Sequence, residues 1–427
     1  MSKQTRAAAH FGHGITARRT GRVILLSVMA VLLTVGSAFA TAWHDLQTNI
    51  NQQSIDHLLG TDRPTQKPID PEDPNAGRAL NILVLGSDVR EGAEAEEVTG
   101  MRADTTMIFH ISADRSRVDV LSIPRDTLVD IPSCTVMNSD DPNDTYETGR
   151  MNNEMFNAAF MYGGMKGQVG SAAACTWRTV EAMTNIRLDG FVVVDFTSFT
   201  GLVDSLDGVP MYFEEDMVDE LSGLNIPAGC RLVHGDQALA LARARYSLGD
   251  GSDISRIGRQ QELVTAMIRS IFDMNLLTDI PQLYKVLDVA TASITTSEGF
   301  GNITNLVGLA TSLKNINLDN IHFVTMPWVY EGARVRPTTV ADTLWYAVAN
   351  DLPFDTVENQ YGQVTDVIVH DPSVTPTTAP AENPVAADPT TATPGASAPT
   401  TETTHDAPAQ ETTAPSAPVC TRDNAVG

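Results

Sequence analysis

Four arginines, Arg243, Arg245, Arg256 and Arg259, fall within 17 residues of a chain whose formal net charge is -25. The first two close the segment HGDQALALARAR, which predicts a helix capped by Asp236. The second two open SDISRIGRQQELVTAMIRSIF, a second predicted helix. There Arg256, Arg259 and Gln260 stand at i, i+3 and i+4, on one face, beside an apolar face of Ile257, Val264, Ile268 and Ile271. Guanidinium forks grip phosphate oxygens in pairs and a helix N-terminus adds its dipole, so the grouping suits an anion with several oxygens. A solvated basic face is the plainer reading of the same spacing.

Three more charged clusters stand where apolar runs end: Ser87-Asp88-Val89-Arg90, Arg102-Ala103-Asp104-Thr105 and Pro124-Arg125-Asp126. Crevices at strand ends are where open α/β sheets hold ligands, and a charge buried there needs a partner. Asp88 and Asp104 would serve as oxygen ligands for Mg²⁺, or Mn²⁺ in its place, since Mg²⁺ takes one or two carboxylates together with phosphate oxygens and water. The competing reading is an internal network of Arg-Asp ion pairs.

The elements that must position these groups alternate along the chain. ALNILVLG (79–86), TTMIFHIS (105–112), RVDVLSI (117–123) and FVVVDF (191–196) read as strands; a helix is expected around 168–183, another in TSFTGLVDSLDG, then a strand in VPMYF. The pattern predicts an α/β fold, a layered α-β-α sandwich with a mixed central sheet, over residues 78–275. Residues 276–356 are expected to pack on the same core as an extension of helices and a strand. Residues 357–427 hold ten prolines between Pro372 and Pro418 and are expected to form a disordered Pro/Thr-rich tail.

Residues 23–42, VILLSVMAVLLTVGSAFATA, carry no charge and at about 1.5 Å per residue would span the hydrocarbon of a bilayer. Lys3, Arg6, Arg18, Arg19 and Arg22 precede this run without any acid, and Asp45 follows it, which puts residues 1–22 in the cytoplasm and the rest outside. A signal peptide cleaved after Ala38-Phe39-Ala40 is the alternative. Residues 43–77 read as a Pro- and acid-containing spacer between this single-pass membrane anchor and the domain. The acidic balance, 53 Asp plus Glu against 28 Lys plus Arg, argues against nucleic acid as a partner. Cys134, Cys175, Cys230 and Cys420 lack metal-ligand spacing; one disulfide is expected, with Cys134–Cys175 favoured over pairings that use Cys230.

Five blocks in order over roughly residues 80–271 resemble the LytR-CpsA-Psr wall-polymer ligases of mainly Gram-positive bacteria: NILVLGSDVR, RADTTMIFHISADRSRVDVLSIPRDTLVDIP, RMNNEMFNAAFMYGG, GFVVVDFTSFTGLVDSLDGVPMYF and GDQALALARARYSLGDGSDISRIGRQQELVTAMI. The resemblance implies Mg²⁺-dependent transfer of a glycopolymer from a polyprenyl-pyrophosphate carrier to peptidoglycan. It places pyrophosphate binding on Arg90, Arg102, Arg125, Arg243, Arg245, Arg256, Arg259 and Gln260, metal binding on Asp88 and Asp104, and the chemistry chiefly on Asp104, Arg125, Arg243 and Arg256. Asp104 and Asp253 are the candidates to take the proton of the attacking hydroxyl, and orienting the metal or an arginine is the alternative role for either. Arg150-Met151-Asn152-Asn153 departs from the family's Lys-Ile-Asn-Ala, and Leu241-Ala242 from its common Tyr-Val. A pyrophosphatase using water as acceptor, and a non-catalytic lipid-binding or transcription-attenuating protein, are the competing functions. No GxSxG, HExxH, P-loop or Rossmann fingerprint occurs.

Overall fold

The computed structural model describes residues 8–65, 77–88, 101–138, 141, 144–244, 253–274, 280–314, 316–371 and 420–426. Seven strands form the central sheet: β1 (Asn51–Gln53), β2 (Leu80–Ser87), β3 (Ala103–Ile111), β4 (Val118–Ser122), β5 (Gly190–Asp195), β6 (Ile294–Ser297) and β7 (Ile321–Thr325). Their order is β1-β6-β5-β2-β3-β4-β7. The pairs β1/β6, β5/β2 and β4/β7 are parallel and the others antiparallel, so the sheet is mixed.

Nine helices are described: α1 (Ala8–Asn49), α2 (Ala158–Gly163), α3 (Val169–Thr184), α4 (Phe196–Ser205), α5 (Gly235–Arg243), α6 (Asp253–Asp273), α7 (Ile280–Ala292), α8 (Ile303–Leu313) and α9 (Thr339–Ala349). Side chains alternate across the pleat, so each strand feeds two cores. Leu83, Leu85, Ile108 and Leu121 face α3 and α9 through Trp177, Val180, Leu344 and Trp345. Ile82, Met107 and Val120 face the other layer, where Val264 of α6 and Leu309 and Leu313 of α8 pack. This is the α/β/α sandwich that the alternation of apolar runs predicts.

Three expectations change. Residues 43–65, read as part of a spacer, belong to the fold: α1 runs on to Asn49, β1 joins the sheet beside β6, and Ile55, Leu58 and Leu59 are buried in the core of the α3 layer. Polar NQQ gives no strand signal of its own; its place comes from pairing with Thr295, Thr296 and Ser297. Residues 357–369, expected to open a disordered tail, belong to the fold instead, because Phe354–Glu358 and Val364–Val369 form a hairpin. Residues 420–426, expected in the same tail, also pack on the fold, and Cys230, disfavoured as a partner, is bonded to Cys420. Cys134 and Cys175 are bonded as well, with Cα atoms 5.3 Å apart. Residues 372–419 lie outside the described residues.

Candidate functional site

The end of β2, the start of β3 and the end of β4 meet at one edge of the sheet. Gly86 pairs with Thr105 but Ser87 with Ala103, so Asp104 is the extra residue of a β-bulge. A bulge frees one residue from the ladder and re-aims its side chain. Here it also frees a carbonyl. The Asp104 carboxylate receives Arg125 Nη1 at 2.6 Å, while its backbone oxygen receives Arg256 Nη2 at 3.0 Å.

Arg125 lies in the turn that follows β4. That turn is tied by the Thr127 amide and hydroxyl, both donating to the Pro124 carbonyl, and by the Asn157 amide donating to the Arg125 carbonyl. The Arg125 Nε is 3.6 Å from Asp126 Oδ1, which Arg334 Nη1 approaches at 3.5 Å from the hairpin Trp328–Glu331/Arg334–Pro337. The ion pairs therefore form a chain, Arg334, Asp126, Arg125, Asp104, with Arg256 closing its inner end.

Arg256 is only 2% exposed, sunk between α6 and the bulge. One turn on, Arg259 donates to the Ala244 carbonyl and Gln260 Nε2 to the Ala242 carbonyl at 3.1 Å, lacing α6 to the end of α5. Gln261 donates to Ser122 Oγ (2.9 Å) and Thr325 Oγ1 (3.2 Å), which seats α6 over the ends of β4 and β7. Arg243 is exposed at the end of α5, its guanidinium carbon 4.9 Å from the centre of the Phe196 ring, a cation–π contact. The N-cap of α5 is His234, whose amide donates to Gln237 Oε1; Asp236, the expected cap, lies inside the first turn. Gly235 is required there, since an added Cβ would come within 2.5 Å of the Thr200 carbonyl oxygen of α4.

Asp88 stands beside this group. Its carboxylate accepts from the Arg102 amide at 2.6 Å, and its own amide donates to the Arg102 carbonyl. Burial pushes its pKa up, the Arg102 hydrogen bond opposes that, and the charge of nearby Asp104 raises it further. Two carboxylates that disfavour each other's ionisation fit a cation shared between them. Among the described residues no group of three or more His, Cys, Asp or Glu side chains gathers to hold a metal. Two carboxylates with phosphate oxygens is what Mg²⁺ ordinarily takes.

The structure thus joins Asp104, Arg125 and Arg256 by direct contact, places Asp88 at their side, and sets Arg259 and Gln260 on the next turn of α6. Arg102 is exposed, and Arg243 contacts Phe196 rather than the ion-pair chain. Arg90, Arg245 and the Asp253 side chain lie outside the described residues. Arg150, the variant cation, pairs with Asp130 on the surface at 2.9 Å. Arg334 and Gln261 were missed: the first comes from a hairpin far along the chain, and nothing in either residue's local pattern marks it.

A profile of the LytR_cpsA_psr family matches residues 42–361, from inside α1 through the Phe354–Glu358 strand. The chain belongs to the LytR_cpsA_psr family. It is 29% identical over 274 residues to the cell wall biosynthesis protein LcpA of Corynebacterium glutamicum, covering 59% of this chain and 50% of that one. The chain therefore spans about half the length of this relative. It is 26% identical over 300 residues to the polyisoprenyl-teichoic acid–peptidoglycan teichoic acid transferase TagT of Bacillus subtilis, 69% of this chain and 82% of that one. Among solved structures, TagT bound to LIIa-WTA is similar at 20% identity and a TM-score of 0.49, covering 70% of this chain and 99% of that one.

Proposed function

We propose that this family member is a membrane-anchored phosphotransferase that moves a glycopolymer from a polyprenyl-pyrophosphate carrier onto peptidoglycan outside the cell. The observation that carries the reading is the bulge at Asp104, which presents one residue's carboxylate to Arg125 and its carbonyl to Arg256 at a sheet edge. Fixed cations at such an edge suit a diphosphate, whose charge grows on the leaving oxygen as the phosphorus–oxygen bond breaks. Arg125 and Arg256 would hold that charge, and Arg259 and Gln260 would fix the α5–α6 wall beside it. Asp88 and Asp104 would hold Mg²⁺, which when bound supplies further charge neutralisation to the phosphate oxygens. Within the helix Ile24–Asn49 an 18-residue stretch has a mean hydropathy of 2.2, and the helix is long and apolar enough to cross a membrane. Two disulfides suit a domain on the oxidising side. The name of the TagT relative describes the same polymer-to-peptidoglycan transfer.

The test compares wild type with Arg125→Ala and Arg125→Lys, using lipid-linked polymer as donor and peptidoglycan fragments as acceptor. Losing a charge-assisted hydrogen bond costs about 1.5–3 kcal/mol, so Arg125→Ala should slow transfer by roughly ten- to a hundredfold, and Arg125→Lys, without the planar fork, should recover only part. Transfer per folded molecule at the wild-type rate in both variants would reject the diphosphate role. Polymer phosphate released to water whether or not acceptor is present would identify a pyrophosphatase instead.

A further inference from the structure

Residues 420–426 return to the body of the fold and bind it in three ways. Cys420 is bonded to Cys230, with Cα atoms 5.5 Å apart. The Val426 amide donates to the Cys230 carbonyl and the Leu232 amide to the Val426 carbonyl, each at 3.1 Å, so the segment adds a parallel bridge to the edge of the strand Gly229–Val233. Third, the Arg422 guanidinium donates to the carbonyls of Leu206, Asp207 (3.2 Å) and Gly208 (2.8 Å), just past the C-terminal end of α4. A helix leaves carbonyls without intrahelical partners at that end and its dipole favours a cation there.

The contacts reach the candidate site because α5 is laced to α6 by Arg259 and Gln260, which donate to the Ala244 and Ala242 carbonyls, and because α4 and α5 are joined at both ends. Asp204, in the last turn of α4, accepts from the Gly235 amide that starts α5 (2.8 Å), and Arg243, which ends α5, lies over Phe196, which starts α4. Whatever steadies Leu206–Gly208 steadies the pair of helices that presents Arg243.

We propose that residues 420–426 form a redox-controlled clasp on α4. With the Cys230–Cys420 bond closed, the segment stays docked and α4 is anchored at its C-terminal end. Opening is a two-electron step. One thiolate of an external dithiol attacks the disulfide, and its second thiol resolves the mixed disulfide; the dithiol leaves oxidised, and its two protons end on the thiols of Cys230 and Cys420. The segment is then held by noncovalent contacts alone and dissociates, loosening α4 and α5.

Full-length protein in lipid nanodiscs is compared as wild type, Cys420→Ser and Arg422→Ala, the last with its disulfide intact. Amide exchange over residues 203–208 reports the clasp, and affinity for inorganic pyrophosphate reports its reach to the site. The affinity measurement alone rests on the proposed function. Cys420→Ser should lose protection over 203–208 and bind pyrophosphate roughly fivefold more weakly, the lower end of common coupling strengths. Arg422→Ala should lose part of the same protection. Unreduced peptide maps should link the Cys230 and Cys420 peptides. Unchanged exchange in Cys420→Ser, or a map with either cysteine free, overturns the clasp; lost protection with unchanged affinity overturns its link to Arg243. Wild type that fails to bind pyrophosphate counts against the diphosphate reading, and exchange then still decides the clasp.

Discussion

Asp104 serves two arginines from one position because the bulge takes it out of the β2–β3 ladder. Asp88 bears the cost of that arrangement. Its folded pKa is raised by burial and by Asp104, so folding favours its protonated form. A carboxylate raised in this way destabilises the fold increasingly as pH climbs from its unfolded value, about 3.9, through its folded one, and the penalty is full at neutral pH. Asp88→Asn removes it while keeping an oxygen that can accept from the Arg102 amide. The variant should melt higher than wild type near neutral pH without divalent cation, and the gain should vanish in acid. With Mg²⁺ and a pyrophosphate ligand present, the order should reverse, because wild type keeps the carboxylate that a cation would bind. Melting curves over pH, with and without Mg²⁺, check both signs; an Asp88→Asn protein that melts lower at neutral pH in metal-free buffer would remove the electrostatic argument.

Strands β2, β3, β4 and β5 were legible as strands because each is a run of apolar and β-branched residues bounded by turn residues, and Arg125 stood out because a charge ends such a run. β1 and β6, Asn-Gln-Gln and Ile-Thr-Thr-Ser, were not, since their place depends on pairing with each other and on the anchoring of Ile50 by Ile303. Arg334 was hidden for the same reason: its partner Asp126 is close in space and distant in sequence. β7 shows what holds such an edge strand. His322 Nδ1 lies 3.3 Å from Asp119, which is fully buried on β4 and also receives Arg117 Nε at 2.6 Å. The Asp119 hydrogen bond raises the His322 pKa, against a smaller opposing effect of burial. A raised histidine stabilises fully below its unfolded value, about 6.5, and the contribution is lost as pH rises through the folded value. Exchange at the β7 amides, corrected for intrinsic rates and compared with β2, should therefore speed up as pH rises above about 6.5. His322→Gln should remove that pH dependence, and a wild-type β7 whose protection is flat with pH would dismiss the pair as a fastener.

Residues 43–65, read as part of a spacer, form a strut built into the fold instead. α1 runs unbroken from Ala8 to Asn49. Its last turns are built into the fold: Leu46 and Ile50 are buried against Ile303, Gln47 Oε1 accepts from the Ile303 amide at 3.0 Å, and Asn49 Nδ2 donates to Asp288 Oδ1 at 2.9 Å. On the proposed reading, in which the apolar part of α1 spans a bilayer, a helix continuous with the core would transmit its tilt to the whole domain, and with it the height of the Asp104–Arg125 edge above the membrane. A donor whose lipid stays in the membrane can reach the site only at the right height, whereas a water-soluble short-chain donor can reach it in any orientation. Inserting Gly-Ser-Gly-Ser between Ala42 and Trp43 should therefore slow transfer from the membrane-embedded donor several-fold while leaving the melting temperature and the rate with the soluble donor unchanged. Four alanines at the same point keep the helix but raise the domain by about 6 Å, at about 1.5 Å per residue, and so separate height from stiffness. If the Gly-Ser insertion transfers embedded donor as fast as wild type, the continuity of α1 has no bearing on substrate access and the helix is only a tether.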